Sequence, residues 1–541
     1  MTFKTQPFKH QKSEWEYSRE LATRAIFWEQ GTGKSKLTID TLCHLYMRGL
    51  IDAVLVVAPN GVHRNWVEQE LPAHLWDDVA PNTQAFAYSS DKAGAQHHKK
   101  SVERVIQHVG LSILAMSYDA VMTKAGKDYL NRYFKQRKIL YVLDEAHYIK
   151  NPSAARTKTI LKSAKFAPFR RVLTGTPIAN GAFDAYPLIK FLEPDYWKAL
   201  GFATFTEFKH YFGIWQKQRL GDNDKREFEV LVAYRHLDEL QNLMKPIASR
   251  VTKDDVLDLP PKLYQKRIFQ LNPEQARLYS ELKNDFMAWL NSPAKIADAN
   301  CPQCKGAGEI IVDSLIYPCG CVPVEDVSGT NVVIAELAIT RLLRLQQVTC
   351  GYVPPEDNNE PMHMIQGTNK RLEALLNIVE QTQHKVIVWA RFQLDIDLIM
   401  QALEKAGVSA VRYDGRVTET ERSDAIARFK GKRPIFVDGV VSGYEPIEVK
   451  EHAKVFVGNP AVGATGLTLT EAKTVVYYSN NFKLIDRLQS EDRAHRIGQD
   501  NPVLYVDLIA ENTVDEKIVQ ALREKLDIAS QITGDEIKEW L

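Results

Sequence analysis

Short apolar, β-branched runs punctuate the chain, separated by polar stretches with helical spacing. Ala53-Val-Leu-Val-Val-Ala58, Leu111-Ser-Ile-Leu-Ala115, Ile139-Leu-Tyr-Val-Leu143 and Arg171-Val-Leu-Thr174 form a first series. Lys385-Val-Ile-Val-Trp389, Lys454-Val-Phe-Val457, Thr474-Val-Val-Tyr-Tyr478 and Val503-Leu-Tyr-Val-Asp507 form a second. Runs of this kind predict strands buried on both faces, and their alternation with helices predicts parallel α/β layers. Between the two series, residues 185–350 are richer in charged and aromatic positions and read mostly as helices. The pattern predicts an α/β fold of two parallel-sheet lobes, residues 1–258 and 259–541. The first carries a helical insertion at about 185–245, the second a helical protrusion. Leu259-Pro-Pro-Lys262 marks the join, because paired prolines stop helices and favour extended chain.

Length agrees with this division: 541 residues predict several domains, not one. Lys and Arg number 69 against 68 Asp and Glu, so the net charge of +1 gives no hint of a partner by itself. No apolar run approaches the roughly 18 residues of a membrane span, and the first residues lack the apolar core of a secretion signal. The expected location is therefore the cytoplasm of a bacterial or viral system, or the nucleus if the source is eukaryotic. Four of the six cysteines crowd together: Cys301-Pro-Gln-Cys304, then, after fourteen residues, Cys319-Gly-Cys321. Two close thiol pairs suit tetrahedral, structural Zn²⁺ in a small insertion at about 298–325, the alternative being chance or redox cysteines. Cys43 and Cys350 read as ordinary buried cysteines.

Gly31-Thr32-Gly33-Lys34-Ser35 precedes a helical stretch. Its glycines let backbone N–H groups turn toward phosphate oxygens at a helix N-terminus. Lys34 would reach the β- and γ-phosphates and Ser35 would ligand Mg²⁺. The full phosphate-loop pattern has a glycine six positions before the lysine, where this chain has Trp28. Asp144-Glu145-Ala-His147 follows an apolar strand, which puts its carboxylates at a strand's C-terminal end, where α/β sheets bind ligands. Asp144 is placed to hold Mg²⁺ and Glu145 to orient and deprotonate an attacking water.

In these blocks and their order the chain resembles the Swi/Snf family of superfamily 2 helicase-like ATPases, from about Phe8 to about Ile518. Phe8-Lys-His-Gln11 resembles the adenine-reading segment, with Gln11 as the reader. Val57-Ala-Pro59-Asn60 with Asn65-Trp66 resembles the first DNA-contacting motif. Asp144–His147 with Ile149-Lys-Asn151 resembles the acidic box and its tail. Leu173-Thr174-Gly-Thr176-Pro-Ile-Ala-Asn180 resembles the motif coupling the ATP and DNA sites. Arg250-Val-Thr-Lys253 and Leu259–Lys262 resemble the inter-lobe bridge. In the second lobe the resemblance covers Lys385–Phe392 with Arg391, Tyr413-Asp-Gly415, Gly463-Ala-Thr-Gly466-Leu-Thr-Leu-Thr470, and Gln489-Ser-Glu-Asp-Arg493-Ala-His-Arg496-Ile-Gly-Gln499. Thr468 stands where the family commonly has asparagine.

The resemblance implies RecA-like lobes, ATP as substrate with Mg²⁺, and coupling through His147, Thr174, Thr176 and Gly466. It also implies DNA contacts at Pro59, Asn60, Asn180, Arg391 and Gly415, and catalysis by Lys34, Asp144, Glu145 and the arginine pair. Arg493 and Arg496, three apart, would share one face if their segment is helical. Their guanidinium groups suit phosphate oxygens. The expected partner is double-stranded or branched DNA, with a protein partner also open. The expected activity is DNA-stimulated ATP hydrolysis driving translocation. A strand-separating DNA or RNA helicase, or a nucleotide-gated DNA-binding module, stays open as an alternative. Nothing outside the motor blocks resembles a bromodomain or chromodomain. Lys150, Arg156, Lys158, Lys162, Lys165, Arg170 and Arg171 lie together with no intervening acid. They could contact phosphates or form a solvated face.

Overall fold

The computed structural model describes residues 2–219, 227–290, 309–312, 315–318, 330–353, 362–437, 440–463 and 467–535. One sheet contains β1 (Thr23–Trp28), β2 (Ala53–Ala58), β3 (Thr83–Tyr88), β4 (Leu111–Ser117), β5 (Ile139–Asp144), β6 (Phe169–Leu173) and β7 (Ala248–Val251), and the four first-series runs are its β2, β4, β5 and β6. The strands lie in the order β3-β4-β2-β5-β6-β1-β7. All its pairings are parallel. The second sheet contains β8 (Lys262–Phe269), β9 (Lys385–Trp389), β10 (Ala410–Tyr413), β11 (Val455–Gly458), β12 (Ala472–Tyr477) and β13 (Val503–Ala510). Its order is β8-β13-β12-β9-β11-β10, again parallel throughout.

Both faces of each sheet are covered, as the unbroken apolar runs require. β2, β4 and β5 are buried at every position. In the first lobe one face packs Leu55, Val57 and Tyr141 with Leu188 and Phe191; the other packs Val54, Val56 and Val142 with Leu42 and Trp76. The helix Val514–Thr533 joins the lobes. Its start (Val514, Ile518, Leu522) is buried with Leu345 and Leu484 of the second lobe, whereas Ile532 near its end lies in the first lobe's core.

The insertion at 185–245 is not purely helical. After the helices Ala185–Leu192 and Phe205–Phe212 comes an antiparallel hairpin, Gly213–Arg219 with Glu227–Tyr234. The cause is local: Glu227-Phe-Glu-Val alternates polar and apolar at the period of a strand. Phe183 stacks on Trp215 at 5.8 Å, which ties the hairpin to the lobe. Cys301, Cys304, Cys319, Cys321 and Gly466 lie outside the described residues.

Candidate nucleotide site between the lobes

The glycine loop opens the site at the C-terminal end of β1. Gly31 and Gly33 have φ of +83° and +88°, backbone that L side chains rarely adopt. A Cβ at Gly33 would also come within 1.9 Å of Gln11 Nε2. The loop leads directly into the helix Lys34–Met47. Lys34 Nζ donates to the carbonyls of Trp28 (2.9 Å) and Glu29 (3.1 Å). Burial lowers its pKa, against the pull of Glu145 and Asp144. Gln11 sits beneath the loop: its Nε2 donates to the Thr32 carbonyl at 3.2 Å and its Oε1 accepts from Phe8 N–H.

Asp144 ends β5 next to this loop. Trp66 Nε1 donates to Asp144 Oδ2 at 2.8 Å, and Glu145 N–H donates to Oδ1 at 2.9 Å. Both carboxylate oxygens are thereby fixed in direction. Burial, with Glu145 adding to it, pushes Asp144 up to about 6. Glu145 adopts φ +48°, a left-handed backbone uncommon for a residue with a side chain. Burial alone would raise its carboxyl, but His147, Lys34 and Arg493 outweigh that and hold it below the ordinary value. His147 Nδ1 lies 3.3 Å from Glu145 Oε2, without hydrogen-bond alignment.

The second lobe reaches this site through Arg493 and Arg496. The condition for one shared helical face is not met: the helix Leu484–Glu491 stops before them, and both arginines ride on the turns that follow. Three anchors hold those turns. Lys253 donates to Asp492 Oδ1 (2.6 Å) and to the His495 carbonyl (2.8 Å), Lys262 pairs with Glu491 (3.0 Å), and His495 Nε2 meets the Pro260 carbonyl (2.7 Å). Lys253 N–H also donates to Glu29 Oε2, so the inter-lobe segment grips both sides. Asp492 is half-buried, yet Lys253 and Lys262 draw its carboxyl down to about 2. Arg493 Nη2 donates to Gln30 Oε1 at 3.2 Å, and Gln30 Nε2 donates to Glu145 Oε1 at 3.1 Å. Burial and neighbouring Arg496 bring Arg493 down to about 10. Arg496 Nη1 donates to Thr468 Oγ1 at 3.2 Å, so the threonine at the asparagine position holds the second arginine.

The result is a cleft of about 780 Å³ lined from both lobes. Gly31, Gly33, Lys34 and Ser35 line it with Asp144, Glu145 and His147. Pro59, Asn180, Arg493 and Arg496 line it as well. Thr174 is buried and its Oγ1 accepts from Thr176 N–H, behind the lining. Asn60 is exposed at the end of β2. Arg391 and Gly415 sit elsewhere on the second lobe, Arg391 bonded to Gln346 and Gly415 exposed. The sequence reading missed Gln30 and Glu70, which also line the cleft. Gln30 adjoins the glycine loop and Glu70 lies four residues beyond Trp66, so position was the available signal. Ser35 and Asp144 fit Mg²⁺, which takes few protein oxygens and keeps several waters. The Oε2 of Glu145, buried without a hydrogen-bond partner, is an acceptor suited to a water.

The SNF2-related domain family matches residues 7–306, more than half the chain, and the helicase conserved C-terminal domain matches 369–443. The chain belongs to the SNF2-related family. Its two lobes are the helicase-like ATPase core of that family. Similar proteins of this kind include the SWI/SNF-related matrix-associated actin-dependent regulator of chromatin subfamily A containing DEAD/H box 1 of Xenopus tropicalis. It is 23% identical over 528 residues, covering 94% of this chain and 49% of the relative. The ATP-dependent helicase fft1 of Schizosaccharomyces pombe is 24% identical, over 94% of this chain and 51% of the relative. The chain thus spans about half the length of these relatives. Among solved structures, the Sulfolobus solfataricus SWI2/SNF2 ATPase core in complex with dsDNA overlaps 98% of this chain and 95% of its own, at 22% identity and TM-score 0.38.

Proposed function

We propose that this SNF2-related chain is an ATP-dependent translocase on double-stranded DNA that remodels protein–DNA complexes or branched DNA. The observation that carries the reading is the inter-lobe relay Arg493–Gln30–Glu145 across the glycine loop. Lys34 and the loop N–H groups bind the phosphates, and Glu145 orients the attacking water. Arg493 and Arg496 supply positive charge where it develops on the γ-phosphoryl group. Bound Mg²⁺, held by Ser35 and Asp144, would neutralise charge on the β- and γ-oxygens. Because the chemistry takes groups from both lobes, each turnover is tied to their relative position. A change of that position becomes a step along DNA if each lobe grips the backbone.

His147, Thr174, Thr176 and Gly466 serve the coupling in this reading. Pro59, Asn60, Asn180, Arg391 and Gly415 meet the DNA. The relatives, a chromatin regulator and an ATP-dependent helicase by name, support remodelling of DNA-bound protein. The compartment follows the DNA: the nucleus in a eukaryote, the cytoplasm elsewhere. No helix among the described residues is long and apolar enough to cross a membrane. The cysteine spacing supports a structural Zn²⁺ held by Cys301, Cys304, Cys319 and Cys321, tested by one metal atom per chain in the purified protein. Triplex displacement with ATP, without unwinding of a tailed duplex, is the expected behaviour. Efficient unwinding of the tailed duplex would replace translocation with strand separation.

A further inference from the structure

The antiparallel hairpin within residues 213–234 belongs to neither lobe sheet. Two strands alone are marginal in water, so the hairpin's order depends on what packs against it. Its register slips beside Trp215: Ile214 pairs with Ala233 and Trp215 with Leu231, which leaves Val232 as the extra residue. A bulge of this kind re-aims its neighbours. Here it brings Leu231 and Tyr234 onto the face of Trp215, which is partly covered, and leaves Ile214 and Val232 exposed. The covered face lies on the loop that follows Asn180. Phe183 stacks on Trp215 and meets the Tyr234 ring edge-on at 5.1 Å. Tyr234 also closes over Gly181, where a Cβ would come within 1.9 Å of the Tyr234 hydroxyl oxygen. Within the loop, buried Asp184 accepts through Oδ2 from Ala179 N–H (2.9 Å) and Asn180 N–H (2.7 Å). Asn180 in turn lines the nucleotide cleft. The root of the hairpin is bolted down as well: Arg235, next to Tyr234, donates to the carbonyls of His210 and Tyr211, both at 2.8 Å.

We propose that Tyr234 is a positioning residue for the coupling segment 174–180, and that the hairpin is the prop that keeps the end of this segment in place at the nucleotide cleft. Asp184 pins the Ala179 and Asn180 backbone from within the loop, and the Tyr234 ring fills the volume over the next residue, Gly181. Packed groups of this kind hold one discrete arrangement and do not yield gradually. Without the ring the loop gains that volume, and Asn180 loses its fixed place. Lys34, Glu145 and the two arginines sit on other elements. Hydrolysis itself therefore does not need the ring, whereas its response to DNA does.

The role given to Tyr234 rests on reading residues 174–180 as the link between ATP and DNA, and the two fail separately. Steady-state ATP hydrolysis is measured for wild type, Tyr234→Ala and Tyr234→Phe over a range of ATP, without DNA and with saturating double-stranded DNA. Circular dichroism checks the fold. Wild type should be stimulated by DNA; if it is not, the DNA-coupling reading fails and Tyr234's role falls with it. Tyr234→Ala should keep the basal rate and the KM for ATP but lose about tenfold in DNA stimulation, within the range for residues that modulate coupling without touching either ligand. Tyr234→Phe, which keeps the ring over Gly181, should stay close to wild type. Stimulation of Tyr234→Ala within about twofold of wild type would overturn the assignment. So would an equal loss of basal and stimulated rates, or a loss in Tyr234→Phe as large as in Tyr234→Ala. If Tyr234→Ala does not fold, Gly181→Ala, which drives a methyl group into the ring, is judged by the same basal and stimulated rates.

Discussion

Arg493, on the second lobe, donates through Nη2 to Gln30 Oε1 of the first at 3.2 Å, and Gln30 passes the contact to Glu145. A cation from one lobe and the Glu145 carboxylate of the other are thereby one side chain apart. Neither lobe holds the full set alone. Arg493→Ala should lower ATP hydrolysis by about 10³-fold or more, the range of a supplied arginine. Nucleotide affinity should fall far less, and Arg493→Lys should not restore the rate because lysine lacks the planar fork. Single-turnover hydrolysis beside nucleotide binding reads both. A rate within tenfold of wild type would remove Arg493 from the chemistry.

The lobes are also tied at the chain's far end. Arg250, on β7, makes a bidentate pair with Asp535 (2.9 and 2.6 Å) just past the helix Val514–Thr533, and donates to the Phe27 carbonyl at 2.6 Å. The pair is mostly buried, so breaking it leaves a charge poorly solvated. A double-mutant cycle of Arg250→Ala and Asp535→Ala in urea denaturation should give a coupling of roughly 1–3 kcal/mol. Strict additivity would mean that the contact does not hold the helix end to the first lobe.

Asp395 gives a pH signature away from the cleft. It is fully buried in the second lobe and accepts from Ser479 (2.7 Å) and Tyr352 (3.0 Å). Burial pushes its carboxyl up to about 6, above the ordinary 3.8, despite those donors and Arg371. The native state thus binds this proton more readily than the unfolded chain. Its contribution favours folding below about pH 4 and is lost as pH rises through 6. Asp395→Asn carries no such proton. Relative to wild type the variant should gain on the order of 2–3 kcal/mol between pH 4 and 7, by urea denaturation at each pH. Parallel pH profiles would refute an elevated Asp395.

Much of this architecture was legible locally. Central strands such as Ala53–Ala58 and Ile139–Asp144 are unbroken apolar runs because both faces are buried, and the glycine loop and acidic box are contiguous signatures. The sheet-edge strands Thr83–Tyr88 and Lys262–Phe269 escaped because their half-exposed positions dilute the apolar run. Whether Arg493 and Arg496 lie on a helix was left open by their spacing, for a tertiary reason. Salt bridges from Lys253 and Lys262, more than 200 residues upstream, hold that segment in turns, and spacing cannot show such partners. Gln30 likewise acquires meaning only when the folded chain brings Glu145 to it.

The most direct test of two-lobed, DNA-coupled ATP hydrolysis is the steady-state rate without nucleic acid and with single-stranded DNA, double-stranded DNA, forked DNA or RNA, with Lys34→Ala as the zero. The account predicts a low basal rate, strong stimulation by double-stranded or forked DNA, and none of it in Lys34→Ala. Stimulation by RNA alone, a rate indifferent to every nucleic acid, or full activity in Lys34→Ala would contradict it.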